Sequence, residues 1–170
     1  MLRPGSPFLL AVLASPLMAK GLDLCIENPA RLDEVTLRIV REELEAVFAS
    51  AGRPVRFLPC QRAHVTITLR REAAAEDGSA LGRAPWKDGR VAPGIEVFAG
   101  PVSALVGSRL PAVLGRALGR VAAHELGHWI GPGDGHSGAG LMSERLTAAH
   151  LMAPRRERFL YGPPAHGLSQ

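Results

Sequence analysis

The chain has 170 residues and 18.0 kDa, 46% of it apolar and 21% charged, which excludes whole-chain disorder and leaves room for one packed domain. No apolar run reaches the roughly 18 residues that a membrane span requires, and at 5% aromatic the chain is too poor in rings for a single-strand stacking platform. The net charge of +4 comes almost wholly from scattered arginines, with lysine only at Lys20 and Lys87, so no basic stripe marks a phosphate-binding face and nucleic acid is not an expected partner.

Taken in chain order, residues 1–19 carry Arg3, an apolar stretch and a small residue before Lys20, the pattern of a secretory signal peptide. Leu17 departs from the small residue expected three positions before cleavage, and an uncleaved N-terminal helix is the alternative. Export predicts a secreted or periplasmic protein. There the two cysteines, Cys25 and Cys60, form either one bridge between neighbouring strands or two buried thiols.

An apolar strand is predicted over 21–27, ended by Asn28-Pro29. Leu32, Val35, Ile39, Val40, Leu44, Val47 and Phe48 then recur at helical spacing, predicting a helix over 32–51 that stops at Gly52. Strands follow at 55–58 and 64–70, the second rich in β-branched residues, then a polar connection over 71–79. A short edge strand at 80–84 is closed by Pro85, a glycine- and proline-punctuated loop runs through Trp86 and Gly89, and 95–98 is one more strand. A second long helix is predicted over 111–130, with Pro111 in its first turn and Gly131 beyond its end. Gly115 and Gly119 on it suit close helix–sheet packing. A glycine-rich stretch at 131–140 and a last helix capped by Thr147 complete a small mixed sheet backed by helices. The cluster at Arg155, Arg156 and Arg158, interrupted by Glu157, reads as a solvated helix face.

Three of the six histidines fall between 124 and 136. His124-Glu125-Leu126-Gly127-His128 puts two imidazoles one helical turn apart on one face, where they can share a metal ion, and sets Glu125 beside the first of them. Two neutral imidazoles on Zn²⁺ with a carboxylate near its water is the arrangement that hydrolysis needs. A catalytic site wants a third protein ligand and an open position, and Gly131, Gly133 and Gly135 allow the chain to turn back and deliver one.

The helix motif, the glycine break, His136-Ser137 and Gly140-Leu141-Met142 together resemble the metzincin clan of zinc endopeptidases, and within it small secreted bacterial matrixin-like proteins. The usual metzincin spacing places the third ligand at Asp134; in the matrixin-like group it comes two residues later, before Ser, which is His136. The resemblance thus implies Zn²⁺ held by His124, His128 and His136, with Asp134 as the alternative third ligand, and a thermolysin-like glutamate at Glu144 or Glu157 as a further one. Met142 resembles the methionine of the turn beneath the metal, a packing residue, while Glu144 stands where some relatives carry Tyr. Trp129 and Ile130 read as core or cleft wall, and His64, His150 and His166 as structural or exposed.

The resemblance implies an α+β fold. Its sheet is small, mixed and twisted, of four to five strands with one antiparallel edge strand. It carries a backing helix, an active-site helix and a C-terminal helix after the Met-turn. The expected division is a signal peptide at 1–19, a zinc peptidase domain at 20–161 and a flexible tail at 162–170. The expected activity is endopeptidase hydrolysis with Glu125 as general base on a peptide bound as an extended strand, by a monomer without a membrane span. The alternative is a zinc-binding secreted protein of the same fold that does not turn over or serves a single partner.

Overall fold

The computed structural model describes residues 21–87, 90–131, 135–137, 140–156 and 159; the expected signal peptide at 1–19, Glu157, His166 and the expected tail at 162–170 lie outside them. Alternation sets the sheet. In β3 (Val65–Arg70), Val65, Ile67 and Leu69 are buried on one face while Thr66 and Thr68 lie on the other. β1 (Leu22–Glu27) runs parallel to β3, with Leu24 opposite Val65 and Ile26 opposite Ile67, so the apolar faces coincide. β2 (Val55–Phe57) extends the sheet beyond β1, also in parallel. Between β1 and β2 the chain crosses through α1 (Glu34–Ala49), which begins where Asp33 accepts a hydrogen bond from the Thr36 amide at 2.9 Å.

Beyond β3 the strands are β4 (Gly82–Arg83), β5 (Trp86–Lys87), β6 (Arg90–Val91) and β7 (Gly94–Phe98). The five-stranded sheet has the order β2-β1-β3-β7-β4, and its edge strand β4 alone is antiparallel. Where a loop is expected after Pro85, β5 and β6 pair as a small hairpin. The edge strand is two residues rather than the five expected at 80–84, because the Ala80 amide is tied back to the Asp77 carbonyl and the Pro85 carbonyl accepts from the Ala92 amide, so both flanks leave the ladder for other partners.

α2 (Ala99–Val106), which the sequence pattern did not reveal, follows β7 and ends at Gly107 with φ 62°. Its run Ala99-Gly100-Pro101 masks the period, and burial of Val102 and Val106 is what seats it. α3 (Pro111–Ile130) matches the expected bounds, and α4 (Ala148–Met152) is capped by Thr147 through the His150 amide.

α1 and α3 lie together on the apolar face of the sheet, and the core fills the space between. Gly115 and Gly119 serve this helix pair rather than a helix–sheet contact: a Cβ at 115 would lie 2.9 Å from the Thr36 carbonyl, and one at 119 3.1 Å from that of Val40. Cys25 and Cys60 are joined in a disulfide, but Cys60 sits in a 3₁₀ turn (Cys60–Arg62), so the bridge ties β1 to this turn and not to a second strand. The opposite sheet face is polar. Arg56 clasps Asp23 with two hydrogen bonds of 2.7 and 2.9 Å, and Glu96 lies between Arg70 and Arg83.

Candidate metal centre

α3 carries buried apolar residues one turn apart at Leu114, Leu118 and Val121 and ends at Gly131, whose amide bonds the Gly127 carbonyl at 2.9 Å. Its last turns therefore stay regular, and His124 and His128 share one face, their rings edge-on at 86° with Nε2 atoms 3.3 Å apart. Both rings are buried, at 7% and 8% exposure.

His136 reaches the pair from the segment after the helix. Its ring stacks on that of His124 at 5.4 Å and 17°, and lies 4.8 Å from that of His128 at 86°. One nitrogen from each of His124, His128 and His136 falls within 4.8 Å of the others. Among the described residues these three form the cluster able to hold a metal. Glu144 is exposed and outside it, while Asp134 and Glu157 lie outside the described residues.

The turn at Leu141–Met142 holds the cluster through successive carbonyls. The Leu141 oxygen lies 2.7 Å from His124 Nδ1, and the Met142 oxygen accepts from the Ser137 amide at 2.7 Å. A carbonyl can only accept, so His124 carries its proton on Nδ1 and presents a bare Nε2 to its neighbours. Burial pushes the His124 imidazole down to about 4, which keeps it neutral and competent as a ligand at pH 7. The Met142 sulfur occupies the space that a Cβ at position 127 would fill, so glycine inside the motif lets the turn press against the helix. Zinc suits this donor set. A tetrahedral ion with Zn–N of about 2.0–2.1 Å spaces its nitrogens about 3.3 Å apart, which is the separation found between the two helix-borne nitrogens.

Glu125 is buried at 8% exposure, and burial alone pushes its carboxyl up to about 7. A divalent cation nearby acts in the opposite direction and favours the carboxylate.

A solved structure with a similar fold is archaemetzincin from Methanopyrus kandleri, at TM-score 0.53 and 18% identity over 77% of this chain and 85% of that one. The fold is metzincin-like. No protein-family model and no curated protein sequence matches the chain.

Within this metzincin-like frame several residues act outside the cluster. Trp129 and Ile130 are partly buried against the core. His64 is half-exposed, 3.5 Å from the Asp23 carboxylate, and the His150 ring lies against Phe159 at 6.4 Å. One feature escaped the sequence. Arg120, one turn before His124, is fully buried and donates to Glu43 at 2.8 Å and to the His150 and Leu151 carbonyls at 2.6 and 3.2 Å, with Phe159 under its guanidinium. Arg156 donates to the second oxygen of Glu43 at 2.8 Å, so part of the presumed solvated face closes this network beyond the end of α4. An Arg inside an apolar-periodic helix with a Glu on the facing side of another was the available signal.

Proposed function

We propose that the chain is a secreted zinc-dependent endopeptidase, with His124, His128 and His136 as the metal ligands and Glu125 as the general base. The observation that carries this reading is the convergence of three imidazole nitrogens within 4.8 Å, with a buried carboxylate on the residue next to the first. Zinc held there supplies Lewis acidity toward a water and a peptide carbonyl. The protein's own part is proton transfer: Glu125 accepts the proton of the attacking water and delivers it to the leaving amine nitrogen. Its burial keeps bulk water from competing for that proton. The substrate lies extended along β4, which forms one edge of the sheet and offers backbone groups for a further strand.

The test is Glu125→Gln in purified protein. Zinc content stays at about one per chain while kcat on an unstructured protein substrate falls about 10²–10⁴-fold, the usual worth of a general base. Cleavage persisting at the wild-type rate in that variant overturns the assignment of the base.

A further inference from the structure

The edge strand passes directly over the Glu125 side chain. A Cβ added at Gly82 would lie 2.9 Å from Cγ of Glu125, 2.9 Å from its Oε1 and 2.9 Å from Cγ1 of Val121. Separations this short have to be relieved by movement, and Val121 is fully buried with little freedom to give. The backbone at Gly82 is not in the left-handed region, so glycine is not needed there for the turn of the chain; what it supplies is room.

The height of this strand above Glu125 is itself fixed from the other face. Gly82 pairs with Val97 and Arg83 with Glu96, and the Leu81 carbonyl accepts from the Phe98 amide at 2.9 Å. The Arg83 guanidinium donates to Glu96 at 3.1 Å and to Asp77 at 3.0 Å, which pins β4 to β7 and to the 3₁₀ turn (Ala75–Asp77) before it.

We propose that Gly82 and Arg83 are positioning residues for the general base: Arg83 sets the distance of the edge strand from α3, and the missing side chain of Gly82 defines the slot that Glu125 occupies. The inference rests on the endopeptidase reading. It makes the strand that receives substrate also the roof of the proton acceptor, so substrate alignment and base placement are set by neighbouring residues of one strand.

The experiment has two arms. In metal-stripped protein, thermal melting of wild type, G82A, E125A and the G82A/E125A double variant forms a cycle. The loss of Tm caused by G82A shrinks by at least half when Glu125 is already Ala, whereas equal losses in both backgrounds overturn the contact. In zinc-loaded protein, G82A lowers kcat tenfold or more with KM within twofold and zinc content unchanged. R83A, which adds no bulk, lowers kcat at least threefold, and R83K restores part of it. Undiminished kcat in both G82A and R83A overturns the positioning role. A wild-type chain that binds no zinc and cleaves no substrate overturns the endopeptidase reading and the role with it, while the melting cycle still decides the contact.

Discussion

His124 and His128 stand one helical turn apart on α3, whereas His136 is brought to them by a segment held through the backbone around Leu141 and Met142. The first pair needs only that residues 111–130 be helical, and an apolar repeat ending at glycine is enough to ensure that. The third ring depends on non-local contacts: the Ser137 amide on the Met142 carbonyl, and a methionine sulfur seated against Gly127. One half of the centre is thus a property of local helix geometry, and the other a property of how the next loop packs.

The sharpest way to break this comparison is to remove the rings one at a time. His128→Ala and His136→Ala are each expected to reduce zinc from about one per chain to a small fraction of that, measured by elemental analysis after gel filtration, because three protein ligands are the minimum of a catalytic site. Asp134→Asn is expected to keep its metal. The reverse order at 134 and 136 would transfer the third ligand to the carboxylate.

The same division separates what is legible in the sequence from what only the fold brings together. The spacing of His124, Glu125 and His128, the bounds of α3 and the alternation in β3 are local patterns, and each is visible in a few residues. Three features were not. α2 carries glycine and proline in its first turn, so only burial against neighbours reveals it. Arg120 interrupts the apolar period of its helix, but its partner Glu43 lies 77 residues away, and local spacing does not join the two. Gly82 looks like an ordinary glycine in a short strand until the fold lays it over Glu125. Side-chain periodicity reports which way a residue faces, not what it meets there.

Next in size is the buried ion pair one turn upstream of the centre. Arg120→Met leaves Glu43, at 2% exposure, with the half-exposed Arg156 as its remaining ion-pair partner among the described residues. Breaking such a pair is expected to destabilise the fold by about 3–5 kcal/mol, read in chemical denaturation. In contrast to the loop that holds His136, this network ties α1 and α3 to the segment following α4, so the surviving folded fraction retains zinc. Loss of metal without loss of stability would instead make Arg120 part of the centre.

Gly127→Ala sharpens the comparison at its junction. The new methyl takes the place of the Met142 sulfur, and overpacking of this kind costs about 1–3 kcal/mol. Displacing the turn also moves the Leu141 carbonyl that orients His124, and lost outer partners of a ligating His weaken metal affinity about 10–100-fold. Competition with a chromophoric chelator measures this directly. Met142→Ala placed on the same variant opens the space again and is expected to recover part of the affinity; an additive further loss would mean that the sulfur is not what Gly127 accommodates.

The smallest effect separates the edge strand from the rest of the sheet. Burial, the largest single influence on the Glu96 carboxyl, pushes it up, but the combined hydrogen bonds and charges of Arg70 and Arg83 outweigh it and hold the group below its ordinary value of 4.5. A carboxyl lowered by folding stabilises the native state above its unfolded value, and that contribution disappears as pH falls through the folded one. Glu96→Gln is therefore expected to lower Tm at pH 7, and the gap to wild type to close as the pH is taken below about 4. With both arginines part-exposed the difference at neutral pH stays within about 1 kcal/mol. A gap that does not change with pH would mean that shape, and not charge, joins the three strands. Hydrogen exchange localises the effect: the Phe98 amide, bonded to the Leu81 carbonyl, should lose protection on acidification before the amides of β1 and β3, because β4 is held on one side only and its pairing is two residues long.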